Sequence, residues 1–372
     1  MAVNAIFFIN GFLHANLASR LPRLQEIFSL SNGTLGLILL STSIGAVFAM
    51  PFTGWLIIQN GSRRIGIISI FSYCIFFPLV TWMPGVPGLM GLFFLMGITA
   101  GMLDVSMNAQ AVMIERGMGK PIMTSFHALF SIGMAAGALS GAMFENFSFS
   151  LFQHLLMITT ACLMAALWVR YYLIHDKPAS KGEGPAFQLP NAAMVSIGVI
   201  AFCCMLGEGA MADWSTNYME KITLAPAALA PIGLSAFALA MTIGRVFGDR
   251  ARAAFGDKKL MVVCGLTACL GLSISLLWNT PAVVIGGFFM VGLGLSVIVP
   301  IAYSIAGNSS SVSPGVGLAM VTTVGYSGFL FGPPIIGFLA DWESLRFALI
   351  FVACLFAVMT MLSYRYKNPD SK

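Results

Sequence analysis

The sequence predicts an all-α membrane protein with twelve transmembrane helices in two six-helix pseudo-repeats. Of its 372 residues, 58% are hydrophobic and 9% are charged, whereas a soluble globular domain carries roughly 25% charged residues. The apolar residues form continuous runs, many of them near the length of about 20 residues that crosses a bilayer. These runs do not alternate between polar and apolar positions as the strands of a β-barrel do. A water-soluble fold is therefore excluded.

Breaks at glycine, proline and charged clusters separate twelve apolar runs. The first run lacks the basic residues that open a signal peptide, since none occurs from Met1 to Ala18, so we expect it to be retained as the first span. The predicted spans cover residues 3–20, 35–57, 65–83, 87–113, 122–143, 149–173, 191–213, 228–248, 259–278, 282–304, 317–339 and 345–364.

The longest polar connection, residues 175–190, divides these spans six and six. It predicts an N-terminal half at 1–174, a cytoplasmic linker at 175–190 and a C-terminal half at 191–372. A constant shift of 195 residues aligns the halves and indicates an internal repeat. The aligned residues are Gly61 with Gly256, Gly91 with Gly286, Gly97 with Gly292, Gly133 with Gly328, Gly137 with Gly332, and the pair Phe93 and Phe94 with Phe288 and Phe289.

The basic residues predict that both termini are cytoplasmic. With twelve spans and both ends inside, all but four of the 19 Lys and Arg residues fall on the inner side, where basic loop residues collect. The four outer residues are Arg20, Arg23, Lys221 and Arg346.

Several other kinds of chemistry are not predicted. The seven cysteines lie in apolar stretches without CxxC or zinc spacing, which indicates small buried side chains and no metal site. The chain has no GxSxG, HExxH, P-loop or GxGxxG signature, so we expect neither an enzyme nor a cofactor. No segment resembles a channel filter. A net charge of +5 on so few charged residues does not indicate nucleic acid.

Two related loop segments predict tight turns and close helix packing. GWLIIQNGSRRIG begins at Gly54, and GRVFGDRARAAFGDKK begins at Gly244. Glycines permit turns and close approach, while arginines anchor loops or pair with helix C-termini. The alternative is that the basic residues serve as membrane anchors alone. The candidate gating residues are Gly54, Gly61, Arg63, Gly244, Arg245 and Gly256.

Ionisable residues within apolar spans are costly and are therefore functional candidates. Asp104 lies one turn before Asn108, so the two side chains share a helix face. Glu208 lies between two glycines, and Asp213 follows nearer the outer end of the same span. We expect Asp104 and Glu208 to couple transport to protons. The candidate substrate-binding residues are Asn16, His14, Asn108, Gln110, Asp213, Trp214, Tyr303 and Tyr326.

These segments resemble the major facilitator superfamily. The first loop fits its GxLxDRxGRR signature, with Ile58 in place of the aspartate, and Ala253 replaces it in the second copy. The segments DVSMNAQAVMIER, FHALFSIGMAAGA, GEGAMADW, ALAMTIGRVFG, GLGLSVIVP and VTTVGYSGFLFGPPIIGFLAD resemble the YbjJ-like bacterial branch, which is related to fucose permease-like symporters. The resemblance implies the major facilitator fold, a bacterial inner (plasma) membrane location and proton coupling at Asp104. The family's first-helix aspartate is missing from HANLASRLPRLQ.

The sequence therefore predicts a monomeric secondary active transporter that works by alternating access in the lipid bilayer. The first hypothesis is proton-coupled uptake of a small polar, sugar-like substrate. The alternative is proton-driven export of a metabolite or drug-like compound, and a second alternative is a non-transporting receptor or assembly protein. Clustered Asn, Gln and acidic residues at one depth would favour import, whereas a strongly apolar lining would favour export.

Overall fold

The computed structural model describes residues 1–118, 122–176, 192–307 and 314–366, and these ranges contain α-helices and no strand. The helices are α1 (Ala2–Ala18), α2 (Leu21–Phe28), α3 (Asn32–Asn60), α4 (Ser62–Leu79), α5 (Val86–Met118), α6 (Met123–Asn146), α7 (Leu151–Val169), α8 (Ala192–Lys221), α9 (Pro231–Phe255), α10 (Asp257–Leu277), α11 (Pro281–Leu295), α12 (Ile298–Gly307), α13 (Pro314–Trp342) and α14 (Leu345–Arg365).

All twelve predicted spans coincide with these helices. Within the described ranges, eleven segments are long and apolar enough to cross a membrane, and the shorter α1 is the first predicted span. The tenth span is broken between α11 and α12. The prediction missed α2, whose eight residues are too short to span a membrane. Residues 177–190 of the predicted linker lie outside the described ranges, so the division of the chain at 174 and 191 stays a prediction.

Serine caps determine where several helices begin. The Ser31 hydroxyl accepts a hydrogen bond from the Thr34 amide at the start of α3. Ser150 and Gln153 form a capping box at the start of α7, and Ser344 caps α14. Each hydroxyl satisfies an amide that the first helical turn leaves without a partner.

The internal repeat is visible in the packing. Gly61 and Gly256 both adopt positive φ, at 81° and 73°, in the turns that join α3 to α4 and α9 to α10. A Cβ at Gly97 would lie 2.0 Å from the Thr42 carbonyl oxygen, and a Cβ at Gly292 would lie 2.2 Å from that of Phe237. Thr42 and Phe237 are themselves related by the shift of 195 residues, so the same close contact is built twice.

The two sets of six helices meet along α3 with α13 and along α6 with α9. At the first contact, a Cβ at Gly36 would lie 2.6 Å from the Pro333 carbonyl oxygen, so the backbones nearly touch. At the second, the Ser235 hydroxyl donates to the Ala135 carbonyl at 3.1 Å. These two seams enclose the space in which the candidate site lies.

Candidate functional site

A cavity of about 250 Å³ lies between the two halves. Helices α1 to α5 line it from one side, and α8 and α13 line it from the other. Its polar lining consists of His14, Thr42, Ser43, Tyr73, Asp213 and Tyr326, and the remaining lining residues are Gly209 together with Leu, Ala, Val, Met and Phe side chains. Three predicted substrate contacts, His14, Asp213 and Tyr326, therefore face one cavity.

His14 and Asp213 are the histidine and the carboxylic acid of this cavity, and they come from opposite halves. Both side chains are half-buried. Asp213 forms no ion pair with any residue in the described ranges. A carboxyl in apolar surroundings needs a bound proton or a cationic partner to offset its charge, so Asp213 is chemically suited to bind either one.

Asp104 and Asn108 lie next to each other on α5, as their spacing predicts. The Asn108 amide donates to the Asp104 carbonyl at 2.8 Å and to its carboxylate at 3.3 Å. Asp104 does not itself line the cavity.

Glu208 is an ion-paired acid. Arg245 of α9 donates to its carboxylate at 3.3 Å and, through its other terminal nitrogen, to the Ser131 hydroxyl of α6 at 2.6 Å. The side chain of Arg245, one of the candidate gating residues, therefore lies between helices of the two halves. The Tyr303 hydroxyl of α12 donates to the Met205 sulfur at 3.8 Å, and Tyr303 is not among the residues that line the cavity.

Asn16 does not face the cavity. Its side chain is fully buried, and its amide donates to the Phe12 carbonyl at 2.7 Å. Its side-chain oxygen contacts His154 of α7 at 2.8 Å and accepts a hydrogen bond from Ser140 of α6. Because the polar atoms of Asn16 are occupied inside the first half, the predicted substrate contact is not retained.

Gln110 and Trp214 are also turned away from the cavity. The Gln110 amide bonds the Ser62 hydroxyl at 2.8 Å and the Ile174 carbonyl at 3.0 Å, and its oxygen accepts from the Ile174 amide at 2.9 Å. Trp214 is fully buried in the apolar core. Gln110 therefore joins α5 to the start of α4 and to the segment that follows α7. Neither Gln110 nor Trp214 is retained as a substrate contact.

The first loop motif contains a carboxylate contact that the sequence did not predict. The Ser62 and Arg63 amides donate to the Asp176 carboxylate at 2.5 and 3.3 Å. Burial opposes ionisation of Asp176, but these amide hydrogen bonds prevail and hold its pKa below its usual value. Arg63 donates to the Arg170 carbonyl at the end of α7 at 2.7 Å, which is the helix C-terminal pairing expected for this arginine.

Of the remaining motif glycines, one packs closely against a neighbouring helix and two do not. Gly244 packs tightly, because a Cβ there would lie 2.0 Å from the Ser296 hydroxyl. At Gly54 a Cβ would meet no atom within 4 Å, so the close packing predicted at Gly54 is wrong. Gly256 is needed for its positive φ and not for space.

Sequence reasoning missed a polar cluster at the end of the bundle opposite the two termini. There Arg23 of α2 pairs with Glu220 of α8. The Gln25 side-chain oxygen accepts from Asn217 and from Lys221, each at 2.6 Å. We call these five residues the end cluster. Arg23 and Lys221 had served to predict orientation, and no sequence signal places them beside residues almost 200 positions away.

Asp341 makes a further contact between the halves at the same end. Its two carboxylate oxygens accept hydrogen bonds from the Asn32 and Gly33 amides at 2.8 and 2.7 Å. These amides begin α3, where backbone donors lack partners within the helix. An acid at the end of α13 therefore caps a helix of the other half.

Comparisons with known proteins agree with this architecture. The model of the Major Facilitator Superfamily matches residues 3–222 and 197–372. An uncharacterized MFS-type transporter of Yersinia pestis is 34% identical over 94% of this chain and 91% of its own length. The membrane protein MosC of Rhizobium meliloti is 31% identical over 100% and 90%. A crystal structure of a mutant of the nucleoside transporter NupG superposes with a TM-score of 0.81 at 12% identity, covering 98% of each chain. The predicted fold is thereby confirmed.

Proposed function

The chain belongs to the Major Facilitator Superfamily, and we propose that it is a proton-coupled exporter of small amphipathic molecules that works by alternating access. The observation that carries this proposal is Asp213, an acid without an ion-pair partner in the described ranges, in a cavity with a predominantly apolar lining between the two halves. Asp213 binds a proton and the polar or cationic group of the substrate in turn. Because one carboxylate serves both ligands, the two exchange across the membrane.

The cavity lining favours export over sugar uptake. A sugar presents several hydroxyl groups, and each one that is buried without a partner costs free energy. The predicted partners Asn16 and Gln110 are occupied elsewhere. The lining instead offers apolar side chains and the ring of Tyr326, packed at 6.1 Å from that of Phe329. This surface suits a molecule with a large apolar face and one polar group.

Asp104 and Glu208 have different roles in this proposal. Asp104 is a second proton site, oriented by Asn108. Glu208 holds Arg245, which also bonds Ser131 of the other half. Proton uptake by Glu208 would weaken its attraction for Arg245 and loosen one contact between the halves. Proton binding is in this way linked to movement of the halves.

The conformation also fits alternating access. If both termini are cytoplasmic, the end cluster and the Asp341 cap lie at the outer face of the membrane, where they close the path to the cavity. The Arg23–Glu220 ion pair is partly buried, and a helix cap such as that of Asp341 contributes about 0.5–2 kcal/mol. These contacts are strong enough to close the outer end and weak enough to break in each cycle.

A substrate screen tests the export proposal. Purified protein is heated with sugars, nucleosides, organic acids and the amphipathic cation tetraphenylphosphonium. The proposal expects the cation to raise the unfolding temperature and the sugars to leave it unchanged. Stabilisation by a sugar alone would refute it in favour of uptake.

A proton-flux measurement tests the role of Asp213. In proteoliposomes loaded with a pH-sensitive dye, tetraphenylphosphonium should evoke proton movement by the unmodified protein and not by Asp213→Asn. Glu343→Gln is the matched control, since it removes an exposed acid outside the cavity. Equal flux through Asp213→Asn and the control would show that Asp213 does not couple the proton.

A further inference from the structure

The internal repeat permits a comparison of two equivalent turns at the end of the bundle that carries the termini. In the first half, the Gly61 turn leads into α4, whose Ser62 and Arg63 amides bind the Asp176 carboxylate. A Cβ at Gly61 would lie 2.9 Å from that carboxylate. The start of α4 is thus an anion site that the protein fills with its own acid.

The equivalent turn in the second half is open. A Cβ at Gly256 would meet no atom within 4 Å. A groove of about 510 Å³ lies where the first half has its carboxylate, and residues 255–259 and 262–263 line it together with Tyr364 and Tyr366. Its Lys258 and Lys259 lie 195 positions after Arg63 and Arg64. The basic pair is retained in the second half, and the groove beside it is open.

Within the described residues, no ion pair balances the lysine charges in this groove. Asp257 is bound by Arg252 through two hydrogen bonds of 2.6 and 3.0 Å. Lys258 and Lys259 are exposed, and neither forms an ion pair within the described ranges. Their ammonium groups lie 5.4 Å from the ring centres of Tyr364 and Phe255. Basic side chains at a helix N-terminus oppose the helix dipole, so helix stability does not account for their position.

The groove lies on an outward apolar surface. Below it, α10 exposes Val263, Leu266 and Leu270, with 51%, 48% and 56% of their surfaces accessible, and α14 exposes Met361. Exposed apolar side chains on two packed membrane helices face acyl chains. The basic residues therefore lie where such a surface meets the polar boundary, with tyrosines of the kind that collect at membrane interfaces.

We propose that this groove binds the phosphate headgroup of an anionic phospholipid. Lys258 and Lys259 neutralise the phosphate, which occupies the place that the Asp176 carboxylate takes in the first half. The acyl chains lie along the exposed side chains of α10 and α14. The bound lipid belongs to the membrane leaflet on the side of the termini.

Two other anion sources fit less well. A free phosphate would gain nothing from the apolar surface below the lysines. The six residues after Tyr366 lie outside the described ranges and contain Lys367, Asp370 and Lys372, so their side chains carry no excess of negative charge for the groove. The lipid matches both the charge and the apolar surface.

Native mass spectrometry of the full chain tests the site by counting bound phosphatidylglycerol as its concentration rises. Two basic side chains near an anionic lipid surface predict that Lys258→Gln with Lys259→Gln weakens binding by about thirtyfold. Arg64→Gln with Arg116→Gln removes the same charge from exposed positions of the other half and should change it less than about twofold. The replacement Lys258→Arg with Lys259→Arg should preserve binding.

Several outcomes would overturn the proposal. One is equal binding of phosphatidylglycerol by the lysine double variant and its control. Another is displacement of the lipid by inorganic phosphate, which would indicate a free-anion site. A several-fold gain in lipid affinity in Asp370→Asn would indicate that the chain's own acid fills the groove. Equal affinity for phosphatidylcholine would show that the net charge of the lipid does not determine binding.

Discussion

Replacing Asp341 with alanine should open the end of the bundle opposite the termini. In the closed arrangement its carboxylate accepts two amide hydrogen bonds from the start of α3. Loss of such a cap costs about 1 kcal/mol, within a range of about 0.5–2 kcal/mol. Since Asp341 bonds α3 from the opposite half, this free energy shifts the equilibrium between closed and open states. A change of about 1 kcal/mol raises the open-to-closed ratio about fivefold.

The opening is measurable as a labelling rate. Ala212 lines the cavity and is buried, so a cysteine introduced by Ala212→Cys reacts with an outside, membrane-impermeant thiol reagent when the outer end is open. While the open state is rare, the rate is proportional to its population. In right-side-out vesicles, adding Asp341→Ala should raise the rate about fivefold. Asp341→Asn keeps one acceptor oxygen and should raise it less.

The control separates opening from reagent access. Leu224 follows α8 and is 81% exposed, so Leu224→Cys should react at the same rate with or without Asp341→Ala. Both cysteines are introduced in a Cys354→Ser chain, because Cys354 is the exposed native cysteine. An unchanged or slower Ala212→Cys rate in Asp341→Ala, with the control steady, would refute the role of the cap.

Two further predictions concern the loop turns. Gly61→Ala and Gly256→Ala both place a side chain in a backbone region that is essentially restricted to glycine, with ψ of 150° and 162°, which costs about 1–3 kcal/mol. Gly61→Ala also meets Asp176 and should lower the unfolding temperature in detergent more. A loss at Gly256→Ala as large as that at Gly61→Ala would contradict the packing argument. The Asp176 pKa is lowered in the folded state, so its stabilisation is full above the ordinary carboxyl pKa of about 4 and is lost as pH falls through the lower folded value. Asp176→Asn should therefore lower the unfolding temperature at neutral pH and converge with the unmodified protein in acid, and a difference that persists in acid would oppose this account.

Local rules predicted the helices well. In a bilayer each apolar run must satisfy its backbone groups internally, so the runs become helices. Asp104 and Asn108 also followed from spacing alone, because residues four apart share a face. The short helix α2 escaped prediction because its eight residues make no span-length apolar run.

The faces of the long helices were harder to predict. Asn16 and Gln110 lie in apolar spans like His14 and Asp213, yet the first two point into the bundle and the last two into the cavity. A helix that is apolar all round carries no pattern to show which side faces a partner. Residue spacing therefore identified candidate substrate contacts, but it did not show which of them face the cavity.

Hydropathy and glycine spacing are enough to predict the membrane location, the helical spans and the repeat, because both act over one helix or one turn. The partners of the charged groups depend on how the helices pack. Arg245 is 37 positions from Glu208, and Arg23 is 197 positions from Glu220. Such pairs form when helices pack, since a charge in an apolar bundle is stabilised by whichever opposite charge the packing brings near it. For this reason composition identified a membrane protein, while the distinction between an ion-paired Glu208 and an Asp213 without an ion pair in the described ranges came from the fold.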